Sequence, residues 1–340
     1  MGKGKSRVEI MERLKIFITG GTGFIGSNLV HFFLTKGHEV ATTIRVQSNL
    51  WRLSDLLTDI NCFKLDITER EKINNAFASF KPDVVINTIA YGGYHFEDDS
   101  ARIFDNNFCG TMNLVEAYIN SSAELLINTG SSSEYGFKDH PMSEQDVLEP
   151  FGPYAVSKAA ATLYSRSRSL ESKRKIVTLR LFSAYGEFEE PHRLVPYLMV
   201  RGLKGKKAEL NDPRHVRDFI YVKDICEAYI NLIERQSKVD FGEIFNLGSG
   251  KESKVGEIVN LVEKISGEKM KVEWQYSKER KGDKAVHWFA DMSKMRNILN
   301  WWPKYSLENG LYRTYSWLKE NIEKYEVIEN SKLGKVGKRG

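Results

Sequence analysis

The chain has 340 residues, 41% of them hydrophobic, enough to bury a sizeable core in one large α/β unit with a smaller attached lobe. Its net charge of +5 resides in its ends, since residues 1–15 carry +3 and residues 331–340 carry +4, so the body at −2 offers no basic face for nucleic acid. Cys62, Cys109 and Cys226 form neither a disulfide framework nor a metal-ligand pattern, and no apolar run reaches the ~20 residues of a membrane span, which leads to the expectation of a metal-free, cytoplasmic protein with basic tails at 1–13 and 326–340.

Through the first half, short apolar runs alternate with amphipathic stretches of helical length, the pattern of a parallel sheet covered on both faces. The first strand, Leu14–Thr19, runs into Gly20-Gly21-Thr22-Gly23-Phe24-Ile25-Gly26, and a helix over 24–36 follows at once, with Leu29, Val30, Phe33 and Leu34 on one face. Strand, glycine turn and helix in that order form a dinucleotide site. Gly20 serves the tight turn, Gly23 the close approach of backbone to a pyrophosphate, and Gly26 the packing of helix on strand, with Phe24 and Ile25 in the same turn and the helix N-terminus facing the phosphates.

The second strand, Glu39–Thr43, is followed by Ile44 and Arg45 where an NAD-selective site of this type places an acid. An arginine there predicts contact with the 2′-phosphate of NADP, assisted by Arg52, so NADP is favoured over NAD. After the third strand, Asn61–Lys64, Asp66 and Ile67 are expected beside the adenine. A helix over 69–80 leads to strand Asp83–Asn87, whose loop holds Tyr91 and His95 as candidates for sugar contact, and a helix over 101–120 comes next. Strand Leu125–Asn128 ends near Ser131, and a helix over 154–172 opens after Pro153. Tyr154 and Lys158, four apart, leave one face of it. A tyrosine is a poor base at neutral pH unless a neighbouring cation favours its phenolate, and Ser131 can donate to the substrate oxygen whose proton is in transit. Strand Ile176–Arg180 completes the first half. Past Tyr185-Gly186, Pro191, Pro196 and Pro213 break the alternation, so residues 14–186 read as the nucleotide-binding domain and 187–325 as mainly a substrate lobe, with 216–247 returning to the sheet.

Gly20 to Gly26, Gly130-Ser131-Ser132-Ser133-Glu134-Tyr135-Gly136, Tyr154-Ala155-Val156-Ser157-Lys158, Leu179 to Gly186 and Arg217-Asp218-Phe219-Ile220-Tyr221-Val222 together resemble the extended short-chain dehydrogenase/reductase family of nucleotide-sugar epimerases, dehydratases and reductases, from about residue 14 to about 320. The resemblance implies a Rossmann-type doubly wound parallel sheet with a smaller C-terminal α+β substrate lobe. It implies Tyr154 as the acid/base, Lys158 on the nicotinamide ribose, Ser131 on the substrate oxygen and Asn107 as a prop. Thr88, Ile89 and Ala90 would pass beside the nicotinamide, Arg217 and Arg280 would neutralise the substrate diphosphate, and a homodimer would form through the helices over 101–120 and 154–172.

Departures from the pattern discriminate among members. In the 4,6-dehydratases the residue at the place of Ser131 is followed by Asp and Glu, whereas Ser132 and Ser133 stand here and Glu134 comes one residue late; on extended backbone that shift aims it at the other face. Ser183 replaces the asparagine of many 4-epimerases, leaving Ser132 and Ser183 as the polar candidates around the sugar. The nearest look is that of CDP-paratose and CDP-abequose synthases. The leading expectation is therefore NADP-dependent reduction at C4 of a 4-keto-6-deoxy nucleotide sugar, the alternative an NAD-dependent 4-epimerase, with a dehydratase or a non-catalytic cofactor sensor behind both.

Overall fold

The structure, a computed structural model, describes residues 13–94, 96–275 and 287–325; the expectations for His95, for Arg280 and for most of the two basic tails lie outside the described residues. Its centre is a sheet of seven strands: β1 (Lys15–Thr19), β2 (Glu39–Ile44), β3 (Asn61–Lys64), β4 (Val84–Asn87), β5 (Leu125–Ser131), β6 (Lys175–Leu181) and the edge strand Ile244–Leu247. They lie in the order β3-β2-β1-β4-β5-β6-edge, all parallel, with Ile16 opposite Val40 on one side and Val84 on the other. The order reverses between β1 and β4. In an open parallel sheet that is where the connecting loops part and a ligand enters.

Alternation along β1 divides the core in two. Ile16 and Ile18 pack with Leu29, Val30 and Phe33 of α1 (Phe24–Thr35) and with Ile225 and Tyr229 of a later helix on the same face. Phe17, between them, faces Phe77 and Phe80 of α2 (Arg70–Phe80), with ring centroids 5.0 and 6.0 Å away.

The helix expected over 101–120 is three pieces: α3 (Ser100–Phe104), a π-helical turn at Asp105–Cys109, and α4 (Gly110–Ile119). The inserted turn swings Asn107 inward, where it is fully buried. Gly110 restarts the α-helix against Ile67, whose Cγ2 would stand 2.4 Å from a Cβ at that position. α5 (Pro153–Ser172) lies close on β5 and β6 because its buried face is mostly small: Ala155, Ala159, Thr162, Ser165 and Ser169. Strand β5 runs three residues past the expected Asn128, since Thr129, Gly130 and Ser131 stay in register with Leu179, Arg180 and Leu181 and the Thr129 hydroxyl is bonded to Tyr229 Oη at 2.6 Å.

After β6 come α6 (Leu194–Leu203), α7 (Val222–Glu234) and α8 (Val255–Ser266). α7 packs beside α1, and the edge strand pairs with β6. α6, α8 and the helix Leu307–Glu320 enclose a separate apolar cluster that includes Leu198, Ile258, Val262, Leu311 and Leu318. Among the described residues no helix is long and apolar enough to cross a membrane. Because Phe245 of the edge strand is fully buried, Phe245→Ala should lower stability by about 3–5 kcal/mol in chemical denaturation, and a loss under 1 kcal/mol would contradict this packing.

Candidate active site

Two connected hollows open at the carboxyl edge of the sheet, beside the point where β1 and β4 part. The first is lined by Gly20, Gly23, Thr43, Arg45, Asp66 and Ile67 and by Thr88 to Tyr91. Gly20 has φ +76°, a left-handed backbone that a side chain would strain, and a Cβ on Gly26 would stand 2.2 Å from the Gly20 carbonyl oxygen. Helix α1 can therefore start directly on the turn. Gly23 is its N-cap and supplies no side-chain cap, which leaves the first amides of the helix available to an anion. These features fit a dinucleotide pyrophosphate.

Several groups hold the turn that composition alone did not single out. Thr43 Oγ1 and Thr42 Oγ1 accept from the amides of Gly20 and Gly21 at 3.3 and 3.2 Å, and Thr88 Oγ1 donates to the Thr19 carbonyl at 2.7 Å. Arg52 is not at a 2′-phosphate position. It is buried, donating from Nη1 to the Thr22 carbonyl at 3.1 Å, from Nε to the Phe188 carbonyl at 2.8 Å and from Nη2 to Glu190 at 2.8 Å, because the short helical turn after it folds the side chain under the glycine loop. Arg45 lines the first hollow with its guanidinium 3.8 Å from the Asp66 carboxylate, whose other oxygen accepts from the amide and hydroxyl of Thr68. Tyr91, expected at the sugar, instead lines this first hollow: Asn107 grips both its amide and its carbonyl at 2.8 Å, and its ring lies 4.3 Å from the Arg102 guanidinium.

The second hollow, about 630 Å³, joins Phe24, Ile25 and Gly26 to Ser131, Ser132, Tyr154, Lys158, Ser183 and Arg217. Burial pushes the Tyr154 phenol up; a hydrogen bond with Ser131 and the Arg193 guanidinium are the largest influences pulling it back. Lys158 donates from Nζ to the Thr129 carbonyl at 2.6 Å, and burial pushes its ammonium down to about 8 against the opposing charge of Glu134. Asn107 also donates to Ser157 Oγ at 2.9 Å and so joins the loop after β4 to α5. Ser132 Oγ accepts from Trp288 Nε1 at 3.1 Å, and the Arg217 guanidinium sits 5.5 Å from that indole ring. Glu189, which no motif marks, lines the same hollow and is pushed up to about 8 by burial, 3.6 Å from Arg193.

Residues 16–248 match the NAD dependent epimerase/dehydratase family. The chain belongs to this family. A UDP-glucuronate 4-epimerase of Thermodesulfobacterium geofontis is 31% identical, over 92% of this chain and 98% of that protein. The structure of the UDP-glucose 4-epimerase of Thermotoga maritima with UDP-glucose superposes with a TM-score of 0.83 at 26% identity, over 91% of this chain and 100% of that one. A dTDP-glucose 4,6-dehydratase of Bacillus anthracis in complex with NAD gives 0.82 at 26% identity, over 92% and 99%. The expected Rossmann-type α/β fold and extended short-chain dehydrogenase/reductase membership hold, and the chain is an enzyme of a class that works with a nicotinamide dinucleotide.

Within the family frame, Glu134 corrects one premise of the sequence reading. The backbone after Ser131 is not extended but turns at once into the 3-10 segment Ser132–Tyr135, which carries Glu134 into the core rather than across the sheet. There its carboxylate meets Arg180 at 2.8 Å, with both side chains almost wholly buried. It is not among the residues lining the hollow. Gly26→Ala should push α1 off the glycine turn, lower stability by about 1–3 kcal/mol and weaken NAD binding by roughly 10-fold or more, as read by calorimetry; unchanged melting and affinity would contradict the contact between Gly26 and Gly20.

Proposed function

We propose that the protein is an NAD-dependent nucleotide-sugar 4-epimerase acting on a UDP-sugar. The observation that carries this reading is the convergence of Ser131, Tyr154 and Lys158 on one cleft that reaches the glycine turn, in a chain aligned almost end to end with 4-epimerases. In this reading the Tyr154 phenolate takes the proton from the sugar O4 and later returns it, while Ser131 shares that proton and orients the oxygen. Lys158, anchored on the Thr129 carbonyl, holds the nicotinamide ribose and keeps a positive charge beside the reaction. Arg217 receives the diphosphate, Ser132 and Ser183 the sugar hydroxyls, and Asn107 keeps the Tyr91 loop and α5 in place. The Gly20–Gly26 turn holds the pyrophosphate, and the chemistry supplied by the bound dinucleotide is reversible hydride acceptance at C4.

The choice of NAD is supported by the first hollow, where Arg45, the one cation among the described residues lining it, faces the Asp66 carboxylate at 3.8 Å. The same pairing removes the main support for a reductase. The Glu134 carboxylate is turned into the core and does not line the hollow, which counts against a dehydratase. UDP-glucose, UDP-galactose and UDP-glucuronate offered with NAD should give C4 epimers without net change in nicotinamide absorbance, and Tyr154→Phe should cut turnover roughly 100-fold. Net consumption of NADPH with a 4-keto sugar, or full turnover in the variant, would sink the reading.

We also infer a homodimer. Ile103, Val115 and Ala159 are buried within the chain, but Val156, Leu163 and Leu170 are 39%, 54% and 39% exposed at seven-residue intervals along α5. A two-fold copy covers such a stripe with its own equivalent. Sedimentation should show a dimer at micromolar concentration, and a monomer alone would contradict it.

A further inference from the structure

The three groups placed at the reacting oxygen sit on two elements, the end of β5 and the first turns of α5, and one buried carboxylate joins them. Glu134 Oε1 accepts from the backbone amide of Ser131 at 2.8 Å and from the Thr162 hydroxyl at 3.0 Å. Thr162 stands four residues beyond Lys158 and eight beyond Tyr154, on the same face of α5. Glu134 Oε2 accepts from Arg180 Nε at 2.8 Å, and the Arg180 guanidinium lies 4.6 Å over the Tyr135 ring. Ser131 Oγ in turn accepts from the Ser133 amide at 3.2 Å, so the turn is closed from both ends as a capping box. Only a glycine leaves room for this arrangement at 130, since a Cβ there would stand 2.7 Å from Glu134 Oε1.

We propose that Glu134, clamped by Arg180, is a positioning residue that fixes the Ser131 turn against the helix face carrying Tyr154 and Lys158. The inference rests on the reading of those three groups as the ones that work on the substrate oxygen. A carboxylate that is fully buried carries a desolvation penalty, which its three donors offset, and a side chain held by that many bonds has one geometry. Its charge also reaches the site. It opposes the loss of the Lys158 proton that burial favours, and with Glu97 it raises the Tyr154 phenol against the pull of Arg193 and the Ser131 hydroxyl.

The test uses the full chain with NAD bound. Glu134→Leu combined with Arg180→Met removes both charges of the pair at similar volume, so neither partner is left without the other in the core. The thermal midpoint, NAD affinity and KM for the UDP-sugar should stay near wild type while kcat falls at least about 10-fold, the signature of misplaced groups rather than of lost fold. Tyr154 ionisation, read without substrate from the ultraviolet difference against the matching Tyr154→Phe chain, should move to lower pH. Glu134→Gln with Arg180→Met retains an oxygen that accepts from Ser131 and Thr162, and should recover most of kcat while keeping the titration shift. Wild-type kcat and titration in the leucine/methionine chain overturn the proposal. Should that chain not fold, Thr162→Val, which cuts the bond from α5 to Glu134, takes its place, and wild-type kcat there overturns it. A wild-type chain that epimerises nothing defeats only the functional reading, because the titration needs no substrate.

Discussion

The approach of α1 to the carbonyl of Gly20 governs the rest of the structure. Gly26 admits no side chain there, and Gly20 itself holds a left-handed backbone, so strand, turn and helix meet at a distance that only glycine allows. From this junction the restraints spread outward. Thr88 ties the end of β4 to the last residue of β1, while Arg52 ties Thr22 to Phe188 and Glu190 on the far wall of the second hollow. The glycine turn is thereby bonded to the segment beside the second hollow. A shift in one is felt in the other through the buried Arg52 side chain, which bonds the backbone carbonyls of both segments.

Electrostatics in the cleft follow from burial. Burial acts on both members of the pair proposed to handle the proton: water exclusion raises the Tyr154 phenol and lowers the Lys158 ammonium, and both movements favour the neutral forms. Glu134 counters the second effect without entering the cleft, and Arg180 keeps that carboxylate from being a lone buried charge. The site is therefore tuned from beneath the sheet as well as from its open side.

Much of this was legible in the chain. Apolar runs separated by amphipathic stretches placed the six leading strands to within a few residues, because a two-faced parallel sheet demands continuous apolar strands. The glycine turn was legible because each glycine has a steric reason. What escaped was set by contacts distant in sequence. The π-turn at Asp105–Cys109 carries no distinguishing residue pattern, and its purpose, swinging Asn107 to Tyr91 and Ser157, exists only in the fold. Ser132 to Glu134 read as extended backbone because the partners that hold Glu134 inward, Thr162 and Arg180, lie 28 and 46 residues away from it. Arg45 read as a phosphate ligand because its partner Asp66 stands on the next loop, and Arg52 read as its helper because nothing near it in sequence foretells Phe188 or Glu190. A charged residue's role depends on what answers its charge, and that is a property of the fold.

The most direct measurement is the fate of deuterium placed at C4 of a UDP-hexose during turnover with NAD. Oxidation and return at a single carbon, with Tyr154 moving only the oxygen's proton, leaves the label at C4 in both epimers and none in solvent. Label lost to water, or accumulating in free reduced nicotinamide beside an unrecovered keto sugar, would contradict epimerisation by this cleft.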